Sequence, residues 1–201
     1  MRVTSPSAAQ LDALYRAIDD VNSNDPNALD WHGVSVARSL LQGQRATIWL
    51  PKVAEAPSTA LSIAARAHHL ARWKIDRSSY PDGRAGYLRW RKASKAASAE
   101  LLATTLAPFD VAPELVRRAA DLVQRVGLGT DPEAQAVEDV ACLVFLETDY
   151  VALLQRLGAT STAGAVRKTL KKMSLTAIGL GVEATPAGPA RDLLVDLAAS
   201  S

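Results

Sequence analysis

This sequence predicts an all-α fold, a single-domain helical bundle, on three observations. Apolar residues recur at spacings of three and four through nearly the whole chain. Ser, Asp and Pro helix starts and Gly helix ends bracket those segments. No stretch sustains the period-two alternation of a half-buried strand. The 201 residues are enough for one domain with its own core, and neither an internal repeat nor a long linker interrupts them.

In chain order, Ser7 is an N-cap for a helix with Leu11, Leu14, Tyr15, Ile18 and Val21 on one face. The turn-forming run SNDPN, Ser23 to Asn27, stops it. A second helix is expected over Val34 to Leu50, ending before Pro51. A third starts at Pro57-Ser58 and continues past Leu61, Ala64, Ala65, His68 and Ala71 to Trp73. The segment Asp76 to Tyr87 is read as a long loop, a kind that often carries function. Leu88 to Leu106 is a helix with Trp90, Ala97, Leu101 and Leu102 inward. Pro113 opens the next, which stops at the C′ signal Gly127. Asp131-Pro132-Glu133 supplies an N-cap, a proline at the first helical position and an acid in the first turn. That helix carries the apolar run Val140 to Leu146, is the central one, and is expected to reach Gly158. A basic amphipathic helix over Val166 to Ile178 and a short one over Pro189 to Ala199 complete the list.

Composition excludes several classes. At 48% apolar and 22% charged the chain is not a disordered one. The single Cys142 excludes a disulfide scaffold or multi-cysteine zinc module and is expected in the core. No run of about 18 apolar residues offers a transmembrane helix. The opening MRVTSPSAAQLDALYRAIDD carries charges where a leader needs an apolar run. A cytoplasmic protein without membrane contact is the expectation.

The net charge of +2 hides two opposed regions. Arg66 to Lys95 holds nine basic and two acidic residues, whereas Asp131 to Asp149 holds six acids and no base. Either these are solvated faces that pair with one another, or the arginines form an anion pocket, since guanidinium matches phosphate, sulfate and carboxylate bidentately. No nucleic-acid motif accompanies the charge.

Three segments carry a family resemblance: ARAHHLARWKIDRSSYPDGRAGYLRWR (Ala65 to Arg91), DPEAQAVEDVACLVFLE (Asp131 to Glu147) and KTLKKMS (Lys168 to Ser174). With SNDPN they resemble the family known as domain of unknown function 4202, over about residues 8–178, with 179–201 as an extension of the same 1–201 domain. That family looks like a distant relative of the all-helical HD-domain metal hydrolases. Matching positions are His69, Arg72, Trp73, Tyr80, Arg84, Tyr87, Trp90, Arg91, Glu138 and Asp139. At two positions the chain departs: Ser98 stands where the family usually has histidine and Ser39 where it usually has glutamate. The resemblance therefore implies a metal-type ligand set reduced to His69, Glu138 and Asp139, fewer than a catalytic divalent ion wants.

His69 is expected to share a helix face with Arg66 and Trp73. It is a core histidine, an acid–base group tuned by Asp139, or a metal ligand. Glu138 and Asp139, adjacent on a helix, do not share a face, so at most one joins His69. Either they pair with the arginines of the basic loop, or one orients a histidine or a cationic substrate. Arg77, Tyr80, Arg84 and Tyr87, with Arg91 one turn on, are the candidate anion clamp. Lys168, Lys171 and Lys172 read as a solvated basic surface. Phosphate-binding Gly loops, dinucleotide fingerprints and serine-hydrolase elbows are missing from the chain.

The catalytic candidates are thus His69, Asp139 and Glu138, and the substrate-binding candidates Arg66, Arg72, Trp73, Arg77, Tyr80, Arg84, Tyr87 and Arg91. No cofactor is expected, with a divalent metal as the alternative. The reduced ligand set implies a divergent, metal-free member. Its Ala-rich composition associates it with high-GC genomes and specialised metabolism. The expected action is elimination or cyclisation of a small phosphate- or sulfate-bearing metabolite, with a protein partner or as a homodimer. Metal-dependent phosphohydrolysis and a non-catalytic stabilising role are the alternatives. A partner would cover apolar surface on Leu193 to Ala198 or around Trp31, Trp49 and Leu50.

Overall fold

A computed structural model describes residues 6–200. Charge at Arg2, part of the argument against a leader, lies outside them. The architecture is a single all-α domain, 72% helical, with nine helices among the described residues: α1 Ala8–Asn22, α2 Arg38–Val53, α3 Thr59–Arg66, α4 Gly83–Leu106, α5 Pro113–Gln124, α6 Pro132–Thr148, α7 Tyr150–Leu170, α8 Leu175–Ala184 and α9 Pro189–Ala199. None is long and apolar enough to cross a membrane.

Local signals explain several of these. Ser7 accepts from the Gln10 N–H while the Gln10 side chain accepts from the Ser7 N–H, a closed capping box. Asp25, in the expected stop, accepts from the Asn27 and Ser39 backbone and side chains. Asp131 caps α6 through the Glu133 and Ala134 N–H groups, and α9 spans the expected residues.

The strand-free expectation is corrected by one hairpin. Ala28–Trp31 (β1) pairs antiparallel with Val34–Ala37 (β2), Trp31 facing Val34 across a two-residue turn. His32 and Gly33 both take positive φ, 54° and 82°, the geometry a tight hairpin needs. Val34 therefore starts a strand, and α2 begins at Arg38. Pro51 sits inside its last turn rather than beyond its end.

α6 is the central helix. Ten of its seventeen residues are buried, and it packs on α2, α3, α5, α7 and α8. Val137, Val140, Leu143 and Leu146 are fully enclosed, each such side chain contributing about 1.5–3 kcal/mol. α8 approaches closely because residue 181 is glycine: a Cβ there would stand 2.6 Å from Leu146 Cδ1. α6 ends at Thr148, not Gly158. α7 follows from Tyr150 and is itself broken at Gly158, whose φ of 73° and ψ of 168° are not helical. Instead of one basic helix over Val166 to Ile178, α7 ends at Leu170 and a new N-cap at Ser174 starts α8.

The apolar surfaces expected from sequence are only partly covered: Leu193 and Ala198 are half-buried and Val195 stands 45% exposed on α9. Trp49, Leu50, Leu194 and Leu197 are buried, and Trp31 is half-buried with Arg45 stacked over it.

Candidate functional site

The site is made by the way α3 stops. Helical geometry ends at Arg66, and Ala71 adopts a left-handed φ of 49°. Such a conformation is unfavourable for alanine unless its surroundings impose it. Here Asn22, buried at the end of α1, accepts the Ala71 N–H at 3.1 Å. The irregular turn brings the His68 and His69 rings together, centroids 4.2 Å apart, where a continuous helix would have splayed them. Ala71 is followed by a 3-10 turn, Arg72–Lys74, that carries Arg72 and a half-buried Trp73.

Hydrogen bonds fix the His69 tautomer. A guanidinium has only donors, so Arg72 Nη1, 2.7 Å from His69 Nε2, must meet a lone pair there. Nδ1 then carries the proton and donates to Gln42 Oε1 at 2.9 Å. The Gln42 amide donates in turn to Asp149 Oδ2 at 3.0 Å, a carboxylate that also pairs with Arg38. Burial, then the neighbouring His68, Arg72, Arg125 and Arg91, push the His69 pKa well below its usual value. This imidazole is neutral at pH 7.

Beyond the two histidines stand five cations and one carboxylate. Glu138 is buried at 2% exposure. It accepts from Arg125 Nε at 3.1 Å and Lys172 Nζ at 3.0 Å, with Arg91 Nη2 at 3.5 Å. Burial alone would raise its pKa, but Arg125, then Lys172 and Lys95, bring it down to about 2. Arg125 reaches this place through a left-handed φ of 65°. Its guanidinium folds back onto the Val123 carbonyl at 2.7 Å, at the negative end of α5. Lys95 on α4 is pushed down to about 8, first by burial and then by Arg125. Arg72 lies over the Trp90 ring at 4.5 Å, and Arg91 approaches Tyr87 at 5.9 Å. Arg125, Glu138 and His68 are buried, whereas the Arg91 and Lys172 side chains are 26% and 34% exposed. The group is buried at its base and half-exposed at its basic rim, and is termed the recess.

The acids of residues 131–149 do not neutralise this basic cluster. Asp131 and Glu133 pair with Arg118. Glu147 forms a fork with Arg45 and accepts from Trp49, and Asp149 pairs with Arg38. Of these acids only Glu138 pairs with the cations of the cluster, and Asp149 lies within the field of Arg72.

Of the residues singled out from sequence, His69, Arg72, Arg91 and Glu138 converge, with Tyr87 at the edge beside Arg91. Arg66 does not join them, because α3 stops there and its guanidinium binds Asp19 and Thr47 and stacks on Tyr15. Asp139 is turned away from His69: it accepts from the Gln135 side chain at 2.9 Å and the Ser174 N–H at 2.8 Å, anchoring α8. Arg77 fastens its own loop through the Tyr80 and Pro81 carbonyls, and Tyr80 is half-buried within that loop. Arg84 is exposed in the first turn of α4, which begins at Gly83 and shortens the expected loop. Gln42, His68, Lys95, Arg125 and Lys172 were not singled out for the site, and Lys172, expected as solvated surface, pairs with Glu138. A separate hollow of about 300 Å³, lined mainly by Leu70, Ala71, Ile75, Ala97 and Leu101, shares no wall with the recess.

The divalent metal implied by the HD-like resemblance does not fit these donors. His69 Nε2 faces a guanidinium, Asp139 serves α8, and Glu138 is ringed by cations that would repel a dication. Ser39 donates to Asp25 at 2.6 Å and Ser98 to the Leu70 carbonyl at 2.7 Å. Among the described residues no three His, Cys, Asp or Glu side chains are placed to share an ion.

Comparison with curated proteins and with solved structures gives no match. A family model described as domain of unknown function (DUF4202) matches residues 12–193, from α1 into α9. That span includes every residue of the recess, and the chain belongs to this family.

Proposed function

We propose that the protein binds a small phosphate- or sulfate-bearing metabolite in this recess and acts on it without a divalent metal. One observation carries the reading: Arg91, Lys95, Arg125 and Lys172 gather about a single carboxylate, Glu138, with Arg72 beside them, in a partly desolvated site. Like charges held together out of water repel, and a bound dianion relieves them while accepting charge-assisted hydrogen bonds. The chemistry follows from Arg72. An oxyanion that draws this guanidinium away uncovers the His69 Nε2 lone pair, which then takes a proton from the substrate while the arginines hold the departing oxyanion. Elimination, or cyclisation with loss of phosphate or sulfate, fits that arrangement.

Melting curves with and without inorganic phosphate provide the test, since a ligand of the native state stabilises by mass action. A phosphate-dependent rise is expected in the wild type and in Arg118→Ala, whose ion pairs lie elsewhere, but is reduced in Arg91→Ala. An equal rise in Arg91→Ala places the anion outside the recess and overturns the reading.

A further inference from the structure

We infer that the recess selects an oxyanion that also presents an O–H donor, as hydrogen phosphate does and sulfate does not, through the open Nε2 lone pair of His68. The inference rests on the anion-binding reading above and narrows its ligands to phosphate species that keep a proton, inorganic hydrogen phosphate or a phosphate ester as its monoanion.

His68 is 2% exposed. Its Nδ1 lies 2.9 Å from the Ala65 carbonyl, an acceptor, so Nδ1 carries the ring proton. Nε2, on the opposite side of the ring, is then an acceptor, and no protein group reaches it. The ring stacks beside His69 and lies within the fields of Arg125, Arg72 and Glu138, so the unpartnered atom belongs to a ring packed against the cation cluster.

A second protonation cannot convert that atom into a donor. Burial, then Arg125, hold the His68 pKa down to about 3, against smaller opposing pulls from the Ala65 carbonyl and Glu138. At pH 7 the atom accepts or goes unpaired. Ser94, also buried with an unpartnered hydroxyl, shares the α4 face of Arg91, Lys95 and Ser98 by helical spacing.

Sulfate and hydrogen phosphate have similar size and charge, and the five cations attract both. Only phosphate keeps a proton at pH 7. Sulfate set against a buried lone pair leaves that atom unsatisfied and adds oxygen–oxygen and oxygen–nitrogen repulsion. The cost of such a loss corresponds to about tenfold or more in affinity.

Calorimetric titration of the full chain at pH 7 with potassium phosphate and, separately, potassium sulfate tests this. Phosphate is expected to bind at least about tenfold more tightly. In His68→Leu the ratio falls to near one, because phosphate loses affinity while sulfate does not. His68→Gln, which keeps a polar side chain should the leucine variant fail to fold, offers an amide donor and raises sulfate affinity. Equal affinities in the wild type overturn the inference and leave the recess as an unselective anion site. A preference that survives in both variants removes His68 from the selection. Binding of neither ion overturns the anion-binding reading and this inference with it.

Discussion

Arg72 caps the lone pair of His69. The 2.7 Å contact between Nη1 and Nε2, with Gln42 on the other ring nitrogen, holds a neutral imidazole in one tautomer beside a cluster of fixed positive charge. The residue marked by its chemistry is thus kept inactive as a base by the residue that a bound anion would engage.

Arg72→Ala removes the cap and one neighbouring cation. The His69 pKa is expected to rise toward its usual range, read by NMR titration of the ring. The phosphate-dependent gain in melting temperature should fall in the same variant. An unchanged His69 titration would contradict the capped geometry.

Glu138→Gln leaves Arg125 buried without its carboxylate. Removing one partner of a buried pair costs about 3–5 kcal/mol, measured by urea denaturation. The folded fraction should bind phosphate more tightly than wild type, since the recess loses its one negative charge. Loss of stability together with weaker phosphate binding would place Glu138 in a different role.

Acid should destabilise the protein early. Folding holds the His68 pKa at about 3 against an ordinary 6.5, so the unfolded chain binds more protons below pH 6.5 and stability falls as pH drops from there toward 3. The groups facing the ring are Arg125, Arg72, His69 and Glu138. Between pH 7 and pH 5, His68 alone accounts for about 2 kcal/mol, and His69 shifts in the same direction. The expected pH slope of the urea midpoint is reduced in His68→Leu. A flat profile across this window would mean that these rings are hydrated.

The core makes a separate demand. Leu143→Ala should cost roughly 2–5 kcal/mol by denaturation, as large core truncations do. Gly181→Ala should also destabilise, because its methyl group would meet Leu146 Cδ1 at 2.6 Å. Indifference at Leu143 would displace α6 from the centre.

The legible parts of the fold were those with local causes. Ser7, Asp131-Pro132 and Pro189 announced their helices because capping and proline chemistry act within one turn. The hairpin was hidden because each strand has four residues, too few for alternation to outweigh the helical spacing that follows; His32-Gly33 was its only local sign. The end of α3 was not legible, since the Ala71 turn is held by Asn22, 49 positions earlier. The site divides in the same way. His69, Arg72 and Arg91 stood out by residue type and spacing, while Arg125 and Lys172 are brought to them by tertiary packing and pair with Glu138 on α6.

The most direct test of the capped-histidine recess is nitrogen-15 NMR of the imidazole rings, in the free protein at pH 6 and through a phosphate titration. Both His68 and His69 are expected as neutral rings protonated at Nδ1. Phosphate should perturb these two and leave His32, exposed on the hairpin turn, unchanged. Imidazolium signals from either ring at pH 6, or a phosphate response confined to His32, would contradict the account.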